Sequence, residues 1–293
     1  MKKLCTLATG LLVLMQFCSA QGVKQIWVAD TYHNRLYSID TATLGLTVRR
    51  DFIESGDGYE PMDFKVINGK IYGTMHRGAF LYEFDPISNF FDTKVTAGNT
   101  DFLPVGNIRH LDTINGNIYI FTNTPLSQSS LEDYEYAPIS KWNINTQQFT
   151  KIITDDVMSF RGQPVEYNGK FYGFKERGTD INEWTPENNS LVFQKHVPVD
   201  LTHSSYPDDV KTLTLTGGKF FMLSYTNIFE WDPESNDLTL RHNFPEGQEA
   251  LGSLIEKNGK LYGVTDYGGL DDKGVIFEWD PTSVRNLFGF NFA

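Results

Sequence analysis

Asn258-Gly259-Lys260-Leu261-Tyr262-Gly263-Val264-Thr265-Asp266-Tyr267-Gly268-Gly269-Leu270-Asp271-Asp272-Lys273-Gly274-Val275-Ile276-Phe277-Glu278-Trp279-Asp280-Pro281 is written almost wholly in strand and turn signals. Asn-Gly between apolar alternations predicts a two-residue hairpin turn, because both turn positions need positive φ. Leu261 to Val264 then reads as a strand, Asp266 to Gly274 as a Gly-rich loop, and Val275 to Trp279 as a second strand. Asp280-Pro281 closes it, since proline presets the φ of a turn.

Degraded copies run along the chain. The first half returns as Asn68-Gly69-Lys70-Ile71-Tyr72-Gly73, Asn115-Gly116-Asn117-Ile118-Tyr119, Asn168-Gly169-Lys170-Phe171-Tyr172-Gly173 and Gly217-Gly218-Lys219-Phe220-Phe221. The second glycines, at 69, 116, 169, 218 and 259, are spaced by 47, 53, 49 and 41 residues. The second half returns as Leu81-Tyr82-Glu83-Phe84-Asp85-Pro86, Ile139-Ser140-Lys141-Trp142-Asn143, Ile181-Asn182-Glu183-Trp184-Thr185-Pro186 and Ile228-Phe229-Glu230-Trp231-Asp232-Pro233. A sixth, earlier unit keeps Ile26-Trp27-Val28-Ala29-Asp30 and Leu36-Tyr37-Ser38-Ile39-Asp40.

A fourth strand follows each Pro turn, as in Leu191 to Val197 and Leu238 to Phe244. Four antiparallel strands per unit, repeating about every 40–50 residues, define a propeller blade. The expected fold is therefore all-β, a six-bladed β-propeller, with units at about 21–57, 58–103, 104–157, 158–204, 205–246 and 247–293. A β-sandwich would explain the strands but not the six-fold recurrence. Helical periodicity is nearly absent, and 14% aromatic residues with 25 glycines agree with strands and turns.

Met1 to Ala20 reads as a leader: Lys2 and Lys3, an apolar run from Leu4 to Phe17, then the small residues Cys18-Ser19-Ala20 before Gln21. The apolar run is shorter than the roughly 20 residues of a membrane span. Phe17 stands where a lipoprotein signal wants a small residue, so cleavage is expected rather than lipidation. Export to the periplasm, the cell surface or the medium follows. Both cysteines, Cys5 and Cys18, leave with the leader, taking disulfides and thiol chemistry with them. The net charge of −12 becomes −14 once Lys2 and Lys3 are removed, which argues against nucleic acid as a partner. No second long apolar stretch follows, so no membrane span is expected in the mature chain.

The stretch from Asn258 to Pro281 resembles the GloVer tandem repeat of choice-of-anchor secreted bacterial proteins, in its Leu-Tyr-Gly, Gly-Gly and Gly-Val-Ile-Phe elements. Gly73 with Gly78 and Gly173 with Gly178 match it in part. Val28-Ala29-Asp30-Thr31-Tyr32-His33-Asn34-Arg35-Leu36 resembles an NHL repeat. Both resemblances imply a propeller, and neither implies a chemistry. GloVer-type proteins commonly carry a C-terminal anchor or sorting domain, whereas Ala293 falls in the last blade's fourth strand. The first unit, without its leader, has no residues for an innermost strand. Closure is then imperfect, the chain is a fragment, or residues near Gln21 fill the gap.

In a propeller, the loops entering inner strands and those following second strands share one face. The expected ligand-binding residues on that face are Asp30, Tyr59, His76, Arg109, His110, Asn123, Arg161, Glu176, Asp208, Tyr225 and Asp266. Asp30, Asn123, Glu176 and Asp266 supply the oxygens that a hard cation such as calcium takes, and solvated polar loops are the bland alternative. No other cofactor is expected. The twelve-residue EF-hand pattern fails, because the residue eleven after Asp266 is Phe277 rather than Glu. Trp142, Trp184, Trp231 and Trp279 alternate with Glu or Lys on third strands, which marks blade-to-blade core rather than a sugar-stacking row. The Asn-Gly-Lys turns read as structural, with solvated lysines. No catalytic residue is assigned: no nucleophile elbow, paired metal-binding histidines or phosphate loop occurs. The expectation is a binding or interaction module for a small molecule, glycan or protein. The alternatives are a hydrolase or lyase acting on a sugar or lactone at the axial pocket, and a purely structural surface repeat.

Overall fold

The computed structural model describes residues 13–20, 23–30, 33–40, 42–52, 58–96, 108–122, 139–152, 160–175, 179–198, 213–244, 250–265, 267, 274–281 and 288–291. Among them there are strands and turns and no helix. The chain is an all-β, six-bladed β-propeller, and every blade is an antiparallel meander. It divides into two compact units, Met1–Val157 and Met158–Ala293.

In the first unit, blade 1 pairs β1 (Val13–Ala20), β2 (Val23–Asp30), β3 (Arg35–Asp40) and β4 (Leu46–Asp51). Blade 2 has β5 (Gly58–Ile67), β6 (Lys70–Asp85) and β7 (Phe90–Thr96), and blade 3 has β8 (Ile108–Ile114), β9 (Asn117–Thr122), β10 (Ile139–Asn143) and β11 (Gln148–Ile152). In the second unit, blade 4 comprises β12 (Phe160–Tyr167), β13 (Lys170–Lys175), β14 (Asp180–Thr185) and β15 (Ser190–His196). Blade 5 comprises β16 (Leu213–Thr216), β17 (Lys219–Leu223), β18 (Asn227–Asp232) and β19 (Asp237–Asn243). Blade 6 comprises β20 (Ala250–Lys257), β21 (Lys260–Thr265), β22 (Val275–Trp279) and β23 (Phe288–Asn291).

Two blades depart from the expected layout. In blade 1 the inner position is taken by β1, drawn from the segment expected as a leader and paired with β2 from Val13↔Asp30 to Ala20↔Val23. In blade 2 one long strand stands where two were expected. Lys70 Nζ nevertheless lies 2.5 Å from Glu83 Oε1, whereas thirteen residues of straight strand would separate them by roughly 40 Å. The chain therefore doubles back within β6, and blade 2 keeps the repeat.

The turns behave as their residues require. Asn68, Asn115, Asn168, Gly217 and Asn258 have φ between 50° and 58°, and each is followed by a glycine at 73° to 80°. That is the primed geometry matching strand twist. The turn after the third strand is built differently. Asp85 Oδ1 accepts the N–H groups of Ile87 and Ser88, and Asp232 Oδ1 those of Glu234 and Ser235. Asn89 and Asn236 then supply the left-handed residue that closes the turn. Asn236 Oδ1 also accepts from Trp231 Nε1 at 3.0 Å, as Asn189 does from Trp184. Each turn is thus fastened to the tryptophan five residues before it.

Core lies between neighbouring blades. In the first unit, Trp27, Leu36 and Phe52 of blade 1 pack on Phe64, Ile71, Tyr82 and Phe84 of blade 2. Tyr72 and Leu81 pack on Leu111, Ile118, Ile120 and Trp142 of blade 3. In the second unit, Tyr172, Phe174 and Ile181 pack on Phe220, Phe229 and Trp231, while Phe221, Ile228 and Phe244 pack on Leu261, Phe277 and Trp279. Trp142, Trp184, Trp231 and Trp279 are all buried, so they are core as expected. Each such ring removes ~150–250 Å² from water, on the order of 4–6 kcal/mol of gross transfer free energy.

Candidate functional site

The two ends of each blade differ. At one end, first and second strands are joined by two residues in every blade, and third and fourth strands in blades 2 to 5 by four. At the other end, the connections vary from three residues, 224–226, to sixteen, 123–138 and 197–212. The variable end is the one on which the candidate ligand residues were placed.

Three of those residues have described side chains. Asp30, at the end of β2, is wholly buried. Its Oδ1 accepts the backbone N–H of His33 at 2.9 Å, and its Oδ2 lies 2.7 Å from His33 Nδ1. The carboxylate closes the turn into β3, and His33 is exposed above it. Tyr225 is half-buried in the short connection between β17 and β18, and its carbonyl accepts the N–H of Ala250 at 2.8 Å. His110 is buried on β8, with Nδ1 2.8 Å from Asp63 Oδ2 on β5 and Nε2 3.7 Å from Asp112 Oδ2. Its ring stacks on Phe121, 6.2 Å between centroids.

Tyr59, His76, Arg109 and Arg161 lie in β5, β6, β8 and β12, and their side chains fall outside the described residues. Asn123, Glu176, Asp208 and Asp266 lie outside the described residues altogether. Of the four oxygens suggested for a cation, only that of Asp30 is described, and it is engaged by His33. Among the described residues no group of three or more His, Cys, Asp or Glu side chains is arranged to hold a metal.

The turn lysines require a correction: they are not simply solvated. Lys70, Lys170, Lys219 and Lys260 are half-exposed and ion-paired with Glu83, Glu183, Glu230 and Glu278, the residues preceding the aromatic core position of each third strand. Tyr172 and Tyr262, directly across the ladder, donate their hydroxyls to the same carboxylates at 3.1 Å and 2.6 Å. In blade 5, Phe221 replaces this tyrosine, and Arg241 Nε reaches Glu230 Oε2 at 2.9 Å instead. Burial pushes the Glu83 carboxyl up, but hydrogen bonds from Lys70, Tyr72 and Lys94 outweigh it and hold it below the usual range. Burial, followed by the Glu83 hydrogen bond, pushes the Tyr72 hydroxyl well above its ordinary value. Blade 3 abandons the device: Asn117 replaces the lysine, Lys141 the glutamate, and Asn143 Nδ2 donates to Asn117 Oδ1. The sequence signal was a lysine directly after the turn and a glutamate directly before the aromatic.

The fold so described is that of a β-propeller. No family model matches the chain, and no curated protein matches its sequence. Among solved structures it is similar to the extracellular domain of a B. thetaiotaomicron protein described as a one-component system, at 14% identity and TM-score 0.64, covering 98% of this chain and 34% of that one. A second structure, described as a hybrid two-component system from the same organism, gives 12% identity, TM-score 0.66 and the same coverage. The chain thus spans about a third of the length of these two proteins. It is also similar to a catalytically inactive virginiamycin B lyase from Staphylococcus aureus with quinupristin, at 11% identity and TM-score 0.65, covering 96% of this chain and 85% of that one. At such identities the likeness is one of fold. Among the described residues no helix is long and apolar enough to cross a membrane.

Proposed function

We propose that the chain is an exported binding module that presents its variable end to a small molecule, a glycan or a protein. One observation carries this reading: connections at one end are held to two and four residues, while those at the other range from three to sixteen. A rigid repeated frame with divergent loops at a single end is how recognition surfaces are commonly built. The basic, apolar and small-residue segments of Met1 to Ala20 support export, as does the likeness to two extracellular domains. The GloVer-like and NHL-like stretches fit the same repeated frame.

Thermal-shift and calorimetric screening of the chain against glycans and metabolites tests the reading. A ligand that raises the melting temperature, and whose effect is lost when 123–138 is replaced by a short Gly-Ser connection, is the expected outcome. Turnover of a glycoside or lactone during the same screen would replace the binding reading with an enzymatic one.

A further inference from the structure

Asp63 and His110 occupy the same place in neighbouring copies of the repeat, each six residues before the second glycine of its own turn, Gly69 and Gly116. In the following copies that place holds Gln163, Thr212 and Ser253, none of them ionisable. Blades 2 and 3 are therefore alone in setting a carboxylate against an imidazole at this register of their inner strands. The strands concerned, β5 and β8, belong to different sheets, so no ladder joins them.

What joins them is side-chain chemistry. Asp63 Oδ2 accepts the backbone N–H of Leu111 at 2.8 Å and lies 2.8 Å from His110 Nδ1, while its Oδ1 accepts the N–H of Phe64. The far nitrogen of the same ring, Nε2, lies 3.7 Å from Asp112 Oδ2, within ion-pair range. Asp112 Oδ1 is in turn 3.5 Å from Lys65 Nζ, back on β5. The side chains of His110 and Asp63 are only 2% and 5% exposed. A neutral imidazole has one N–H and serves one of its two carboxylate neighbours; an imidazolium serves both.

We propose that this seam is a pH-sensitive link between blades 2 and 3, closed while His110 carries its second proton and loosened when that proton leaves. Deprotonation takes away the donor facing Asp112 and leaves that carboxylate with Lys65 alone. The His110–Asp63–Leu111 bonds survive, so the link slackens rather than breaks. The titratable and charged groups packed around the ring are Asp63 and Lys65 on β5, Asp112 on β8, Tyr72 and Tyr82 on β6, and Tyr119 on β9. Burial pushes the Asp112 carboxyl up, but the His110 hydrogen bond and the charges of Lys65 and His110 outweigh it and hold it low. It therefore stays ionised across the range in which imidazoles titrate.

Hydrogen exchange of the Leu111 and Thr113 amides, which donate to Asp63 and Asp112, reads the seam directly. In the full chain, protection at both amides, corrected for intrinsic rates, should fall several-fold between mildly acidic and mildly alkaline pH. Asp112→Asn, which keeps the Asp63 bonds, should abolish that dependence at Thr113, and His110→Gln should flatten it at both amides. Protection that is independent of pH in the unmodified chain overturns the proposal, as does a dependence that persists unchanged in Asp112→Asn. Should His110→Gln not fold, the Asp112→Asn comparison decides alone.

Discussion

The ring of Tyr82 covers Gly73 so closely that a β-carbon on the glycine would come within 3 Å of its hydroxyl oxygen and ring. Phe160 over Gly173 and Phe277 over Gly263 repeat the arrangement. The glycine of the Tyr-Gly signature is thus a cradle for an aromatic ring. Tyr82 is fully buried and unable to withdraw. Gly73→Ala should cost about 1–3 kcal/mol through overpacking, despite the entropy alanine saves in the unfolded chain. Urea denaturation measures it, and an unchanged midpoint would show that the ring is free to move.

Trp231 unites core and turn, since its ring is wholly buried and its Nε1 holds Asn236. Trp231→Ala should destabilise the chain by about 3–5 kcal/mol. Asn236→Ala, placing a β-carbon where φ is 58° and removing the acceptor, should cost less. If the two variants proved equal, the turn rather than the core would dominate blade 5.

Glu83 makes stability depend on acid. Its folded-state carboxyl is held below the ordinary value, which is about 4.3 in an unfolded chain. It contributes stability that is present above that unfolded value and lost as pH falls through the folded one. Glu83→Gln should therefore flatten the fall in melting temperature below about pH 4, while lowering the temperature at neutral pH. Parallel acid profiles for the two chains would assign the loss to other carboxylates.

Cleavage after Ala20 would remove β1. The remaining first blade would be β2, β3 and β4, still packed on blade 2 through Trp27, Leu36 and Phe52. A chain beginning at Gln21 should keep its all-β circular dichroism, with faster exchange confined to those amides of Val23–Asp30 that face β1. Global unfolding of that chain would show that the inner strand is required.

Most of the fold was legible because turn chemistry repeats: Asn68-Gly69 and its copies need positive φ, and Asp85-Pro86 and its copies need an oxygen to cap two amides. The tryptophans were legible from alternation. Lys70 and Glu83 were misjudged because each was read within its own strand, and their meeting depends on the register between two strands. The Asp63–His110 pair was invisible for a related reason, since it needs the register between two blades. The doubling-back in β6 carries no Asn-Gly or Asp-Pro to announce it. The candidate ligand residues were placed by alignment on loops, where no periodic constraint fixes a side chain. Asp30 shows the risk, because its carboxylate is spent on its own turn.

The unequal ends also have a meaning for how such a chain can change over generations. Lengthening a connection costs only about 0.6 kcal/mol of closure entropy per doubling, and the sixteen residues between β9 and β10 leave the pairing of Ile139 with Phe121 in place. New chemistry can accumulate there by insertion, one blade at a time, without the frame having to be reinvented.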